Sequence, residues 1–343
     1  MRRMYLGVLS FAAGLLVAPV LPARAAPVPA AEGPAVYLSL VEGATLPFAD
    51  VVSNLEQALA DHGWTVVGSV ESGVDRSTCD YRAHVVIAYT PELANRLMAY
   101  GAKAAFAVPI RFAVYEDERG VNIGATNPMN LFRTIVDESS SPEDWADVAR
   151  DIRAVTEDAF PDFAAQGEYG QQRSKARIGR TMGIMAGGKF EGKMENAFNF
   201  TAPGVEPGAI ARAVAQRLGS VPGEWDWDLH PVYTIDLPEH GVAIVGVTSE
   251  SMEARAFRIV GAGGNDARKS YKCPGIDHAA AFPIEVVVAR TDDGLEIFVV
   301  DEMYRMKMFF EDAGKIAFAK NMSMPGSIEN ELKKKIEAVF GGN

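Results

Sequence analysis

No nucleophile elbow of the G-x-S-x-G type and no P-loop occurs in this chain, so neither acyl-transfer nor phosphate-cradling chemistry is signalled. Histidine is scarce. His62, His84, His230, His240 and His278 lie far apart, and none stands at the H-x-x-x-H or H-E-x-x-H spacing that sets two ligands on one helix face. Gly261-Ala262-Gly263-Gly264 lacks the full dinucleotide fingerprint and follows no strand. Positive charge is in deficit: 33 Lys and Arg against 45 Asp and Glu give a formal net charge of −12. A nucleic-acid partner needs Lys and Arg to neutralise phosphates, and that balance argues against one. After the first 25 residues no run is long and apolar enough to cross a bilayer. Together these absences weigh against an enzyme.

The N-terminus carries the most information. Arg2 and Arg3 precede an apolar run from Leu6 to Leu21, and Ala23-Arg24-Ala25 fits the small-x-small rule of a signal peptidase site. Residues 1–25 are therefore expected to be a secretory signal peptide, with no transmembrane segment left after cleavage and a periplasmic or secreted mature chain. The run is shorter than the ~20 residues of a spanning helix. Only two cysteines are present, Cys79 and Cys273. Export would place them in an oxidising compartment, which makes them a disulfide candidate. Two separate thiols are the alternative. Cys79 and His84 can also be drawn as a nucleophile–base pair, although strand alternation separates them.

The mature length allows two domains of ~100–200 residues, and an internal repeat is visible. AAFAVPIRFAVYEDERGVNIGATNPMNLF, from Ala104, can be set on HAAAFPIEVVVARTDDGLEIFVVDEMYRM, from His278. With Pro109 on Pro283, Ile110 meets Ile284, Val114 meets Val288, Gly120 meets Gly294, Ile123 meets Ile297 and Met129 meets Met303, without a gap. Each block reads as a β-hairpin, two β-rich runs around a charged turn closed by Gly. The remainder follows in the same order: a strand, an amphipathic helix (about 47–62 and 207–218), two strands, a short helix, the hairpin and closing helices. Ser141-Pro142 and Ser327 read as starts of the closing helices. The fold class expected is α+β, two tandem copies of a β-α-β-β-β-β-α domain, each an antiparallel sheet with helices on one face. The boundaries are 35–160 for the first repeat, 161–194 for a Gly-rich basic linker and 195–340 for the second repeat. Arg173, Lys175, Arg177, Arg180 and Lys189 make that linker either a solvated connection or a docking strip for an anionic partner.

Several motifs of the first copy occur together in one order: Gly63-Trp64-Thr65-Val66, Thr90-Pro91-Glu92-Leu93-Ala94, Val108-Pro109-Ile110-Arg111, Val114-Tyr115-Glu116 and, expected at a strand end, Asn127-Pro128. In that order they resemble the family of domains of unknown function numbered 302. The second copy is divergent. It keeps Phe282-Pro283-Ile284 and Gly294, replaces Tyr-Glu by Ala289-Arg290 and Asn-Pro by Asp301-Glu302, and inserts Gly263–Gly275 before its hairpin. The resemblance implies a fold similar to that of TATA-binding protein, one curved sheet with helices packed on it. It implies no catalytic residues.

Two further sets of residues are candidates for binding. Met303, Met306 and Met308 form M-x-x-M-x-M, and soft thioethers in an exported protein can select Cu(I). Met303, Met306 and Phe310 equally form an apolar stripe of a core helix. Trp225 and Trp227 alternate with Asp226 and Asp228 on an expected strand, placing two indoles on one face, either in the core or lining a ligand groove between the copies. The leading reading is an exported, non-catalytic binding or interaction protein whose partner is an unknown small ligand or protein and which needs no cofactor. The rivals are a periplasmic Cu(I)-binding protein using Met sulfur, and a thiol-dependent redox accessory protein.

Overall fold

The computed structural model describes residues 33–136, 142–173, 188–201, 204–221, 227–263, 272–292, 294–313 and 315–341. The expected signal peptide lies outside them. The first half runs β1 (Ala35–Ala44), α1 (Phe48–Asp61), β2 (Thr65–Glu71), β3 (Ala83–Tyr89), α2 (Pro91–Met98), β4 (Ile110–Asp117), β5 (Gly120–Thr126), α3 (Pro128–Ile135), α4 (Ala146–Ala159) and β6 (Glu168–Gln172). A 3-10 turn at Ala102–Ala107 precedes β4. Helix α1 forms because Phe48, Val51, Val52, Leu55 and Leu59 recur at helical spacing and are all buried. It ends where Gly63, at φ 80°, turns the chain back into β2. The strands form one antiparallel sheet in the order β2-β3-β4-β5-β1-β6.

The second half runs β7 (Met194–Phe200), α5 (Pro207–Leu218), β8 (His230–Leu237), β9 (Val242–Thr248), α6 (Glu250–Gly263), a 3-10 turn at Ile276–Ala281, β10 (Ile284–Thr291), β11 (Gly294–Val300), α7 (Glu302–Phe310), α8 (Lys315–Lys320) and α9 (Ser323–Gly341). Its antiparallel sheet reads β8-β9-β10-β11-β7, which is the order β2-β3-β4-β5-β1 of the first half. The registers match as well. A bulge falls between Val66 and Gly68 in β2, and between Pro231 and Tyr233 in β8. Another falls between Ser39 and Val41 in β1, and between Asn196 and Phe198 in β7.

The halves pack reciprocally. The 3-10 turn at Ile276–Ala281 lies against β3, β4 and β5, and the equivalent turn at Ala102–Ala107 lies against β9 and β10. Helices α1 and α4 cover the first sheet, as α5 and α9 cover the second. Strands β4 and β9 are therefore buried on both faces. That is why VAIVGVT reads as a continuous apolar run rather than as alternation, and why the buried part of IRFAVYED, up to Tyr115, is interrupted only by Arg111. At the centre, Arg111 of β4 and Glu285 of β10 form a buried ion pair. Arg111 Nη1 also donates to Pro283 O at 3.1 Å, and the guanidinium lies 4.8 Å from the Phe309 ring centre. His278 is fully buried between Asp277 (2.8 Å) and Asp312 (3.1 Å).

Four expectations are corrected. The Asn127-Pro128 pair is not a strand end; like Asp301-Glu302 in the second half, it starts a helix. Asn127 Oδ1 accepts from Met129 N–H and Asp301 Oδ1 from Tyr304 N–H, each at 3.0 Å. The expected linker contains β6, which pairs with β1 through Tyr37, and Arg173 behind it is buried. Its guanidinium donates to Lys307 O (2.7 Å) and Met308 O (2.9 Å), the carbonyls closing α7, and pairs with Glu311 at 3.2 Å. Arg173 is thus withdrawn from any docking strip, whereas Lys175, Arg177 and Arg180 lie outside the described residues. Helix α9 begins at Ser323, one turn before Ser327. Among the described residues no helix is long and apolar enough to cross a membrane.

Candidate functional site

Each half carries a surface cleft at the same place in its fold. In the first half it lies between the end of α1, the start of α2 and the side of α4, and holds about 560 Å³. Thr90 fixes the start of α2, its hydroxyl accepting from Leu93 N–H at 3.1 Å. Six residues after that cap, Arg96 crosses the Trp145 ring at 4.4 Å and pairs with Asp147 of α4 at 2.6 Å, while also donating to the Asp144 carbonyl. Burial pushes the Asp147 carboxyl up, but the bond from Arg96 and the Val148 N–H outweigh it and hold the group below its ordinary range. Glu92 and Asp151 also line this cleft. Among the described residues its one guanidinium is neutralised from within.

The second-half cleft lies between the residues before β8, the first turns of α6 and the start of α9, and holds about 570 Å³. Ser249 takes the place of Thr90, its hydroxyl accepting from Met252 N–H at 3.4 Å. The β3–β4 and β9–β10 registers then set Arg255 where Arg96 stands. Through the β2–β3 and β8–β9 registers, Gly63 corresponds to Asp228, which also has a positive φ of 47°, and His62 to Trp227. Trp227 is 7% exposed; its Nε1–H donates to Ser327 Oγ at 3.2 Å, and that hydroxyl donates to Met324 O at 2.8 Å. The Arg255 guanidinium lies 5.7 Å from the Trp227 ring centre. Arg258, one turn further along α6, reaches Asp75 at 3.3 Å. No carboxylate lines this cleft among the described residues, and Arg255 has no carboxylate partner among them.

Cys79 and Cys273 are bonded to each other, with Cα atoms 5.6 Å apart, and join the β2–β3 loop to the segment before β10. This ends the Cys79–His84 pairing; His84 Nε2 instead meets Ser69 Oγ at 2.7 Å, and burial holds its imidazole below the ordinary histidine range. Met306 and Met308 are buried in the core on α7, and Met303 packs against that core. Trp225 lies outside the described residues. Trp227 precedes β8 rather than alternating within it, because Asp228 turns the chain, and it lines the second-half cleft rather than a groove between the halves. The cleft arginines went unnoticed in the sequence. The signal was there in TPELANR beside SESMEAR, two capped helices with Arg six residues after the cap.

Glu253 of α6 is 1% exposed and lies where the halves meet. Its carboxylate accepts from the Gly73 N–H of the β2–β3 loop at 2.5 Å and from the Thr248 hydroxyl. Burial raises its pKa to about 7, against the pull of those two donors.

No curated protein matches the chain. A crystal structure of an uncharacterized conserved protein DUF302 from Bacillus stearothermophilus is similar at 16% identity and a TM-score of 0.30, covering 35% of this chain and 94% of that one. Residues 41–159, from β1 to the end of α4, match the family described as Domain of unknown function DUF302.

Proposed function

We propose that this chain is an exported, non-catalytic binding protein in which the DUF302-matching half is followed by a divergent second copy, and that the second-half cleft is its ligand site. The observation that carries the reading is the contrast between the two clefts. Arg96 is spent on Asp147, whereas Arg255 faces a cleft of about 570 Å³ with an indole beside it and no carboxylate on the lining described. An aromatic face with a few convergent polar groups is the usual make-up of a small-molecule site. The second copy is supported by the shared strand order and by bulges at matching positions. Export is supported by the Arg2-Arg3, Leu6–Leu21 and Ala23-Arg24-Ala25 pattern, and by the Cys79–Cys273 bridge, which suits an oxidising compartment.

The test is a thermal-shift screen of the purified mature chain against small charged and neutral solutes. At least one solute is expected to raise the melting temperature, and Trp227→Ala is expected to abolish that rise. A protein stabilised by no solute, or one that chemically converts the solute it binds, would overturn the reading.

A further inference from the structure

We infer that the second-half cleft takes a small oxyanion, with a phosphate or carboxylate group seated against Arg255 and Arg258. The inference rests on the proposal that this cleft is the ligand site, and it adds the chemical class of the ligand.

Arg255 and Arg258 are three apart on α6 and so share a face. Guanidinium groups present planar forks of N–H donors that match the two oxygens of a carboxylate or phosphate. Arg255 is held over the Trp227 ring, and Trp227 is held in turn by Ser327. The donor is therefore positioned before a ligand arrives, which lowers the entropy cost of binding. Arg258 stands at the rim and shares its charge with Asp75.

The rest of the lining described is uncharged. Ser323 and Asn330 add hydroxyl and amide donors from α9. The first turn of α9, which carries no acidic residue, opens onto the cleft, so its backbone dipole reinforces the arginines. The first-half cleft supplies an internal comparison. There Asp147 occupies the Arg96 guanidinium at 2.6 Å, as an external carboxylate would occupy Arg255. The chain carries net charge −12, so a concavity lined by two arginines runs against its overall balance.

The experiment is isothermal titration of the disulfide-intact mature chain with inorganic phosphate and, separately, with succinate, in dilute chloride buffer. The expected result is saturable one-site binding of at least one probe. Arg255→Gln should weaken it tenfold or more, Arg258→Gln should weaken it less, and Arg255→Lys should retain part of it. Arg96→Gln, in the other cleft, should change nothing. Circular dichroism and melting temperature identify any variant that fails to fold, and Arg255→Lys then stands in for it. Failure of both probes to bind, or binding that Arg255→Gln leaves intact, overturns the inference. Should both oxyanions fail while a neutral solute binds and loses its binding in Trp227→Ala, the ligand class is wrong and the cleft remains the site. If nothing binds, both proposals fall.

Discussion

Arg111 and Glu285 occupy the same position in the two halves, the second residue of β4 and of β10, and they meet as a buried ion pair where the halves join. The hairpin that looks duplicated in sequence therefore differs in charge at its most buried point. A pair of identical residues there would place two like charges or two uncharged groups face to face. Tyr233 completes the arrangement, its hydroxyl 3.5 Å from the Glu285 carboxylate.

Removing one partner leaves the other charged and buried. Arg111→Ala or Glu285→Ala should each lower stability by about 3–5 kcal/mol, whereas Arg111→Met with Glu285→Leu should lie much closer to wild type. Urea unfolding of the three variants checks this. Single variants no less stable than the double variant would contradict the pairing.

The Cys79–Cys273 bridge spans 194 residues of sequence. Loop closure on that scale stabilises by about 3–5 kcal/mol, chiefly by restricting the unfolded chain. Replacing both cysteines by Ser should lower the denaturant midpoint accordingly, and reducing agent should do the same to wild type only. A thiol count on denatured, unreduced protein is expected to find none free.

Gly73 lies where the β2–β3 loop crosses α6. A Cβ there would fall 2.1 Å from the Glu250 carbonyl oxygen, a backbone atom that cannot rotate away. Gly73→Ala should cost about 1–3 kcal/mol through forced displacement of the loop. Calorimetric melting should show it. An unchanged melting temperature would mean that the loop does not sit against α6 in solution.

How far the sequence could be read follows from the range over which each feature is encoded. The hairpins at Pro109 and Pro283, helix α1 and the start of α2 are local patterns of spacing and capping, and they were legible. Helix α3 was missed although Asn127-Pro128 is an ordinary helix start, because its position in the repeat suggested a strand end, whereas α7 was legible in the helical spacing of Met303, Met306 and Phe310. Strand β6 reads EYGQQ, with no apolar alternation; β1 alone makes it a strand. The clefts depend on register. Arg96 and Arg255 become equivalent only once β3 is set on β9, and the charge of Arg96 is cancelled from α4, fifty-one residues away. Composition carries none of that.

Glu253 sets the pH dependence of the contact between the halves. Its pKa rises from 4.5 to about 7 on folding. Below pH 4.5 the group is protonated in both states, and its stabilising difference is fully present. Between 4.5 and about 7 the unfolded chain ionises first, so rising pH draws the equilibrium toward unfolding. Above about 7 both states are ionised and the loss is complete, roughly 3 kcal/mol for a shift of this size. Other carboxylates, Asp147 among them, are shifted down and act in the opposite sense, so the whole protein's curve does not isolate the effect. Glu253→Gln does. Gln keeps one acceptor for the Gly73 N–H or the Thr248 hydroxyl and does not titrate. The difference in unfolding free energy between wild type and variant, followed by urea titration from pH 4 to 8, should fall steadily up to about pH 7 and then level off. Parallel curves would show that Glu253 meets the same surroundings folded and unfolded, and that the β2–β3 loop does not seal it.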